Sequence, residues 1–250
     1  MTLISDDKPL LTIITEVRNG VDHIQQTINS VIHQDYENIE YIIVDGVSTD
    51  GTLDIIERNK EKISLIISEH DEGIYDAMNK GIRQAKGDLI GIIASNDWYN
   101  QNIFGEIINL HKLNKNAIIY GIAKLYDKEV FKAATAMSAE SLDITMFPHA
   151  TAFVPREVYE QYGMYDTSYK IAADYDAMIR FHRAGVPFVF CDKVISNVRL
   201  GGVSSTSLVG LEHENIKLKY GFITLLEENI IRKVLKKMFN NFVQWIREHF

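Results

Sequence analysis

Cysteine is nearly missing from this chain: Cys191 is the only one in 250 residues. That excludes an internal disulfide framework and a cysteine-rich zinc site, and points to a reducing compartment. No apolar run approaches the roughly 20 residues needed to span a bilayer. The N-terminal stretch MTLISDDKPLLTIIT has acids where a secretory signal would have lysines, so no such signal is expected. Basic charge is also in deficit. Lys and Arg number 26 against 34 Asp and Glu, a formal net charge of −8, which argues against a general nucleic-acid binder. Internal repeats and low-complexity stretches are absent.

What remains is an ordinary globular composition, 46% hydrophobic and 24% charged, long enough to bury a full core. Short apolar runs alternate with helical periodicity through the first hundred residues. Strands are expected at Leu10–Thr15, Ile39–Asp45, Ile63–Ser68 and Leu89–Ala94. Helices are expected over Val21–Gln34, from the Asp50-Gly51-Thr52 turn to Arg58, and over Tyr75–Lys86. Such alternation implies βαβ units and a doubly wound parallel sheet, with its ligand site beyond the carboxyl ends of the strands. Polar residues sit at those ends: Thr15-Glu16, Asp45-Gly46, Glu69–Gly73 and Ser95-Asn96-Asp97. Helix capping explains Asp50 equally well, but it is a weaker account of four successive strand ends. Asp97 alone could hold a divalent cation against a diphosphate, since hard cations take few carboxylates plus phosphate oxygens. Asp45 could bind a base or sugar, or serve as a turn acid.

The second half is less regular. Ala117–Tyr120, Glu129–Ala133, Ala150–Val154 and Pro187–Cys191 read as short strands, and Met137–Met146 as a loop. Helices are expected from Pro155 and over Ala173–Ala184. Leu200–Ser205 reads as a flexible segment, and helix follows from Leu208 with a break near Tyr220-Gly221. Residues 230–250 carry a net +4, leaving −12 for the other 229. There, Ile231, Leu235, Phe239, Phe242 and Ile246 recur with helical period, with Trp245 beside Lys233, Lys236 and Lys237. That basic amphipathic helix suits a membrane interface, docking on its own domain, or pairing with another subunit.

The blocks TIITEVRNG, IEYIIVDGVSTDGT and SEHDEGIYDAMNKGIRQAKGDLIGIIASND resemble the nucleotide-sugar half of family 2 glycosyltransferases. FPHATAFVPREVYEQYGMYD, KIAADYDAMIRF and ISNVRLGGVSS resemble the acceptor half of bacterial members that build O-antigen, capsule and colanic acid. The resemblance spans residues 10 to about 206. It implies a GT-A fold: an α/β architecture with a Rossmann-like, mostly parallel central sheet flanked by helices and a C-terminal helical extension. The implied domains are 1–206, divided at about 100 into donor and acceptor halves, and a helical segment at 207–250.

The same resemblance implies roles. Thr15, Glu16 and Asp45 would hold the base and ribose, Asp71 would be the next nucleotide contact, and Asn79 and Lys80 would lie near the same rim. The Asp-x-Asp motif of the family maps to Ser95-Asn96-Asp97, where the first acid is missing. Asp97 would touch the metal (Mn²⁺ or Mg²⁺), and Asn96 or Ser95 the ribose. Asp174 would be the catalytic base, with Asp176 its rival; helical spacing prevents both from facing one site. His149 would complete the metal shell or contact the diphosphate. Arg199 and the Gly201-Gly202 loop would close over the donor phosphates, or form a plain surface loop.

The implied activity is inverting transfer from a nucleotide sugar, UDP-linked, to a glycan or polyprenyl-diphosphate-linked acceptor. It would act in the cytoplasm, at the inner face of the membrane if the C-terminal helix binds there. Two rivals are an inactive nucleotide-sugar-binding scaffold and a sugar-phosphate nucleotidyltransferase. The second should show a Gly-rich triphosphate loop near the N-terminus, and Thr15–Gly20 has a single Gly.

Overall fold

The computed structural model describes residues 8–202 and 207–222. They fall in two compact units, residues 1–205 and 206–250. In the second unit, α7 (Ser207–Lys219) is the described helix, and Gly221 follows at φ +71°. The basic amphipathic stretch beyond residue 222 lies outside the described residues.

The first unit opens with the expected alternation. β1 (Leu11–Val17), α1 (Ile24–Ile32), β2 (Ile39–Asp45), α2 (Thr52–Arg58), β3 (Leu65–Ser68), α3 (Ile74–Gln84) and β4 (Leu89–Ile92) follow in turn. The four strands run parallel in the order β3-β2-β1-β4. Every residue of β1 is buried, as in parallel strands covered on both faces, and its sequence is correspondingly a near-continuous apolar run. α1 buries Ile24, Thr27, Ile28 and Val31, spaced as one helical stripe. On the other face, α3 approaches the sheet closely at Gly81, where a Cβ would come within 2.5 Å of Ile14 Cγ2. Each fully buried isoleucine, such as Ile13 or Ile14, stabilises the fold by roughly 1.5–3 kcal/mol. Register aligns Val17 with Asp45 and Asp45 with Ser68, so three strand ends share one rim.

Beyond β4 the sheet becomes mixed. β5 (Trp98–Tyr99), α4 (Phe104–Leu113), β6 (Ile118–Asp127), β7 (Val130–Thr135), β8 (Phe153–Pro155), α5 (Arg156–Tyr162), α6 (Ala173–Arg183) and β9 (Phe188–Arg199) complete the unit. The order continues β4-β8-β6-β9-β5, with β7 paired to β6. β8 is antiparallel to β4 and β6, and β9 is parallel to β6. β6 and β9 run far beyond the short strands expected at 117–120 and 187–191. Their pairing is carried across register shifts near Gly121 and Ile122, and beyond these the apolar run is broken by part-buried Lys124 in β6 and by buried Ser196, Asn197 and Arg199 in β9. His149 opens a single 3-10 turn (His149–Thr151) ahead of β8, not the strand itself.

Candidate active site

The strand ends and the N-terminus of α6 enclose a cavity of about 590 Å³. Its acidic wall includes Glu16, Asp71, Asp97 and Asp174. Asp97 follows β4 and is 7% exposed. Its Oδ1 accepts a 2.9 Å hydrogen bond from the backbone N–H of Arg199. The Thr27 hydroxyl lies 2.6 Å from the Asp97 carbonyl and 2.8 Å from that of Ser95, which steadies the loop from α1. Burial pushes the Asp97 carboxyl up to about 7, although the Arg199 N–H and guanidinium oppose the shift.

Glu16, the penultimate residue of β1, is 6% exposed, and neither carboxylate oxygen has a hydrogen-bond partner. Burial, with repulsion from Asp97 and Asp71, raises its pKa to about 8. Asp71 is bound instead: Lys80 Nζ lies 2.9 Å from its Oδ1. The same ammonium also reaches Glu69 at 3.1 Å and Asp76 at 3.3 Å. Asp71 presses so closely on the β2 loop that a Cβ on Gly46 would sit 2.5 Å from its Oδ2.

Arg199 ends β9 and braces the Asn96–Asp97 loop. Its Nη1 bonds the Asn96 carbonyl. Its Nη2 lies 2.6 Å from Gln26 Oε1 and 2.9 Å from Glu129 Oε1, and its guanidinium stacks 4.4 Å from the Trp98 ring centroid. Asp174 stands in the first turn of α6. The Tyr75 hydroxyl lies 2.8 Å from its Oδ1 and 2.6 Å from the Ile171 carbonyl. Asp176, two residues on, is 1% exposed, lies 3.7 Å from Arg180 and is absent from the cavity wall.

The family model described as "Glycosyl transferase family 2" matches residues 12–181. The chain belongs to glycosyltransferase family 2. An uncharacterized glycosyltransferase of Rickettsia prowazekii is 33% identical over 242 residues, covering 90% of this chain and 76% of that protein. The Staphylococcus aureus TarS fragment 1–349, solved with UDP-GlcNAc, superposes with a TM-score of 0.65 at 16% identity, over 79% of this chain and 61% of that one. A Pyrobaculum calidifontis mannosyltransferase solved with GDP-Man and Mn²⁺ gives 0.61 at 19% identity, over 79% and 59%. At these identities the structural matches establish the GT-A fold.

Of the residues singled out from the sequence, the transferase brings Glu16, Asp71, Asn96, Asp97, Asp174 and Arg199 to one cavity. Thr15, Asp45, Asn79 and His149 lie outside its wall, each with protein partners. Thr15 Oγ1 is 3.1 Å from Tyr41 Oη. Asp45 accepts from the Ser68 hydroxyl at 2.7 Å and from the Ser48 N–H. Asn79 pairs with both backbone groups of Tyr165, at 2.9 and 3.0 Å. His149 Nε2 is 2.7 Å from Tyr165 Oη, and burial lowers its pKa.

Tyr75 entered the sequence reading only as the start of a helix, and Asn19 and Lys170, which also line the cavity, were not singled out. Asn19 holds φ +54° and ties the β1 and β2 loops together, bonding Ser48 Oγ and the Thr49 N–H. Its place directly after the first strand end was the available signal. Among the described residues, no three His, Cys, Asp or Glu side chains converge as a ready-made metal site.

Proposed function

We propose that this transferase moves a hexose-type sugar from a UDP-linked donor to a hydroxyl of a glycan or polyprenyl-diphosphate-linked glycan, with inversion at the anomeric carbon. The supporting observation is that Asp97, at the motif position, and Asp174, on the opposite half of the sequence, line one cavity. The product would be bacterial surface polysaccharide. Residues 1–206 would carry both substrates, and the basic segment within 207–250 would bring the enzyme to the cytoplasmic membrane surface.

The donor pocket fits a divalent cation. Asp97 is buried at the cavity wall, and its carboxylate accepts a 2.9 Å hydrogen bond from the Arg199 N–H. Asp97 and diphosphate oxygens would hold Mn²⁺ or Mg²⁺, which when bound supplies Lewis-acid stabilisation to the leaving diphosphate. His149 would have to surrender its 2.7 Å contact with Tyr165 to join that shell.

On the acceptor side, Asp174 takes the proton from the attacking hydroxyl as that oxygen bonds to the anomeric carbon. The Tyr75 hydroxyl orients the carboxylate and leaves Oδ2 for the acceptor. Attack opposite the leaving diphosphate with a single base inverts the centre. Asp71 and Asn96 face the nucleotide end, and Arg199 holds the loop that presents Asp97. Thr15, Asp45 and Asn79 support that rim from behind. The test is calorimetry and turnover with a panel of nucleotide sugars in Mn²⁺; if none binds, the proposal falls.

Asn96, where the family motif has an acid, favours one other reading: a nucleotide-sugar-binding scaffold without catalysis. Asp174→Asn separates the two, because only an enzyme has turnover to lose.

A further inference from the structure

A buried carboxylate with no hydrogen-bond partner is the rarest kind of polar group in a folded protein and calls for a cause. Glu16 is one. It is the charged residue of β1 (LTIITEV), is 6% exposed, and has both oxygens unpartnered. Nothing in the packing requires a charge there. Thr15 and Val17 on either side are satisfied by a tyrosine hydroxyl and by the core cluster.

Glu16 lies beside the loop in which the motif is short of an acid. β1 and β4 are paired neighbours in the sheet, with Ile14 opposite Ile92. Past that point the Ser95 N–H still bonds the Glu16 carbonyl at 3.3 Å. The motif loop is therefore held against the end of β1, and Glu16 and Asp97 line the same cavity. Asn96 is neutral, and its carbonyl is occupied by Arg199. Asp71, another acid of the cavity wall, is paired with Lys80. That leaves Glu16 as the uncommitted carboxylate beside Asp97.

We propose that Glu16 takes over the task of the missing acid: together with Asp97 it ligates the divalent cation that bridges to the donor diphosphate. The inference rests on the donor-binding reading above. Two carboxylates with phosphate oxygens and water suit a hard cation.

The decisive measurement is Mn²⁺ binding by electron paramagnetic resonance, on the full chain with UDP. Glu16→Gln should weaken Mn²⁺ binding by about tenfold or more, as should Asp97→Asn, while circular dichroism is unchanged. If Glu16→Gln holds Mn²⁺ within about twofold of the parent while Asp97→Asn loses it, Glu16 is not a ligand and the inference is overturned. Should Glu16→Gln fail to fold, electron–nuclear double resonance on the parent protein, made with ¹³C-carboxyl glutamate, replaces it. A ¹³C coupling to Mn²⁺ supports ligation, and its absence overturns it. Failure of UDP and every UDP-sugar to bind would instead strike the proposed function.

Discussion

Two buried carboxylates at the ends of neighbouring strands have opposite surroundings. Asp45, at the end of β2, accepts from Ser68 and Ser48. Glu16, on β1 and paired in register with Val44 just before Asp45, accepts from nothing. The same contrast runs through the site. Asn79 and His149 are satisfied by Tyr165, whereas Glu16 in the cavity wall has no partner for either oxygen. Burial alone does not separate scaffolding from chemistry here; satisfaction does. A polar group whose bonds are complete inside the protein holds the rim in shape, and one left incomplete waits for a ligand.

Breaking the unsatisfied side should show in activity. Asp174→Asn should lower kcat by about 10²–10⁴ with the donor Kd retained, measured by turnover beside calorimetry. Next in size is a pH effect on stability in EDTA. Glu16 has a folded pKa of about 8 against an ordinary 4.5, so its contribution is complete below 4.5 and is lost as pH rises toward 8. That loss is at most about 5 kcal/mol. Thermal melts should fall along this alkaline limb, and Glu16→Gln should flatten it.

Breaking the satisfied side should show in stability. Asn79→Ala strands both backbone groups of Tyr165 and should cost about 2–4 kcal/mol in urea unfolding, with donor affinity of the folded protein unchanged. Arg199→Lys keeps the charge but cannot span Asn96, Gln26 and Glu129 together. It should weaken donor binding by about tenfold, near 1.4 kcal/mol, read as KM. The smallest test is His111 in α4, whose buried Nδ1 also lacks a partner though it lies outside the cavity. Burial lowers its pKa from 6.5, so its contribution holds above 6.5 and is lost as pH falls. His111→Gln should remove that acid limb without touching activity. It marks the limit of the comparison: a missing partner needs a cavity beside it to mean function.

The parallel quartet was legible because β1, β2 and β4 are covered on both faces and read as unbroken apolar runs. β6 and β9 were legible only in part. Beyond Gly121 and Cys191 polar residues break the apolar run, part-buried or exposed over Lys124-Leu125-Tyr126-Asp127 but buried at Ser196, Asn197 and Arg199, and strand register is set by pairing with each other across bulges. Acids at strand ends could be read for the site, since topology fixes where such ends meet. What could not be read is which of them already have partners. In the sequence Asn79 and Glu16 look alike, as polar residues near the rim. One is closed by Tyr165, 86 positions away, and the other is closed by nothing. Tyr75 likewise becomes a partner of Asp174 only through a contact across 99 positions.

That reach has a consequence for biosynthesis. The bond from the Arg199 N–H to Asp97 joins residues 102 apart, and β5, directly after Asp97, is paired only with β9. A nascent chain that has just released β4 already has every strand of the parallel quartet. Its motif acid must wait for about another hundred residues, roughly 5–20 s of translation at 5–20 residues per second. During that interval the growing protein holds a sheet without a finished donor loop, so the last strand of this unit to be made is also the one that switches its chemistry on.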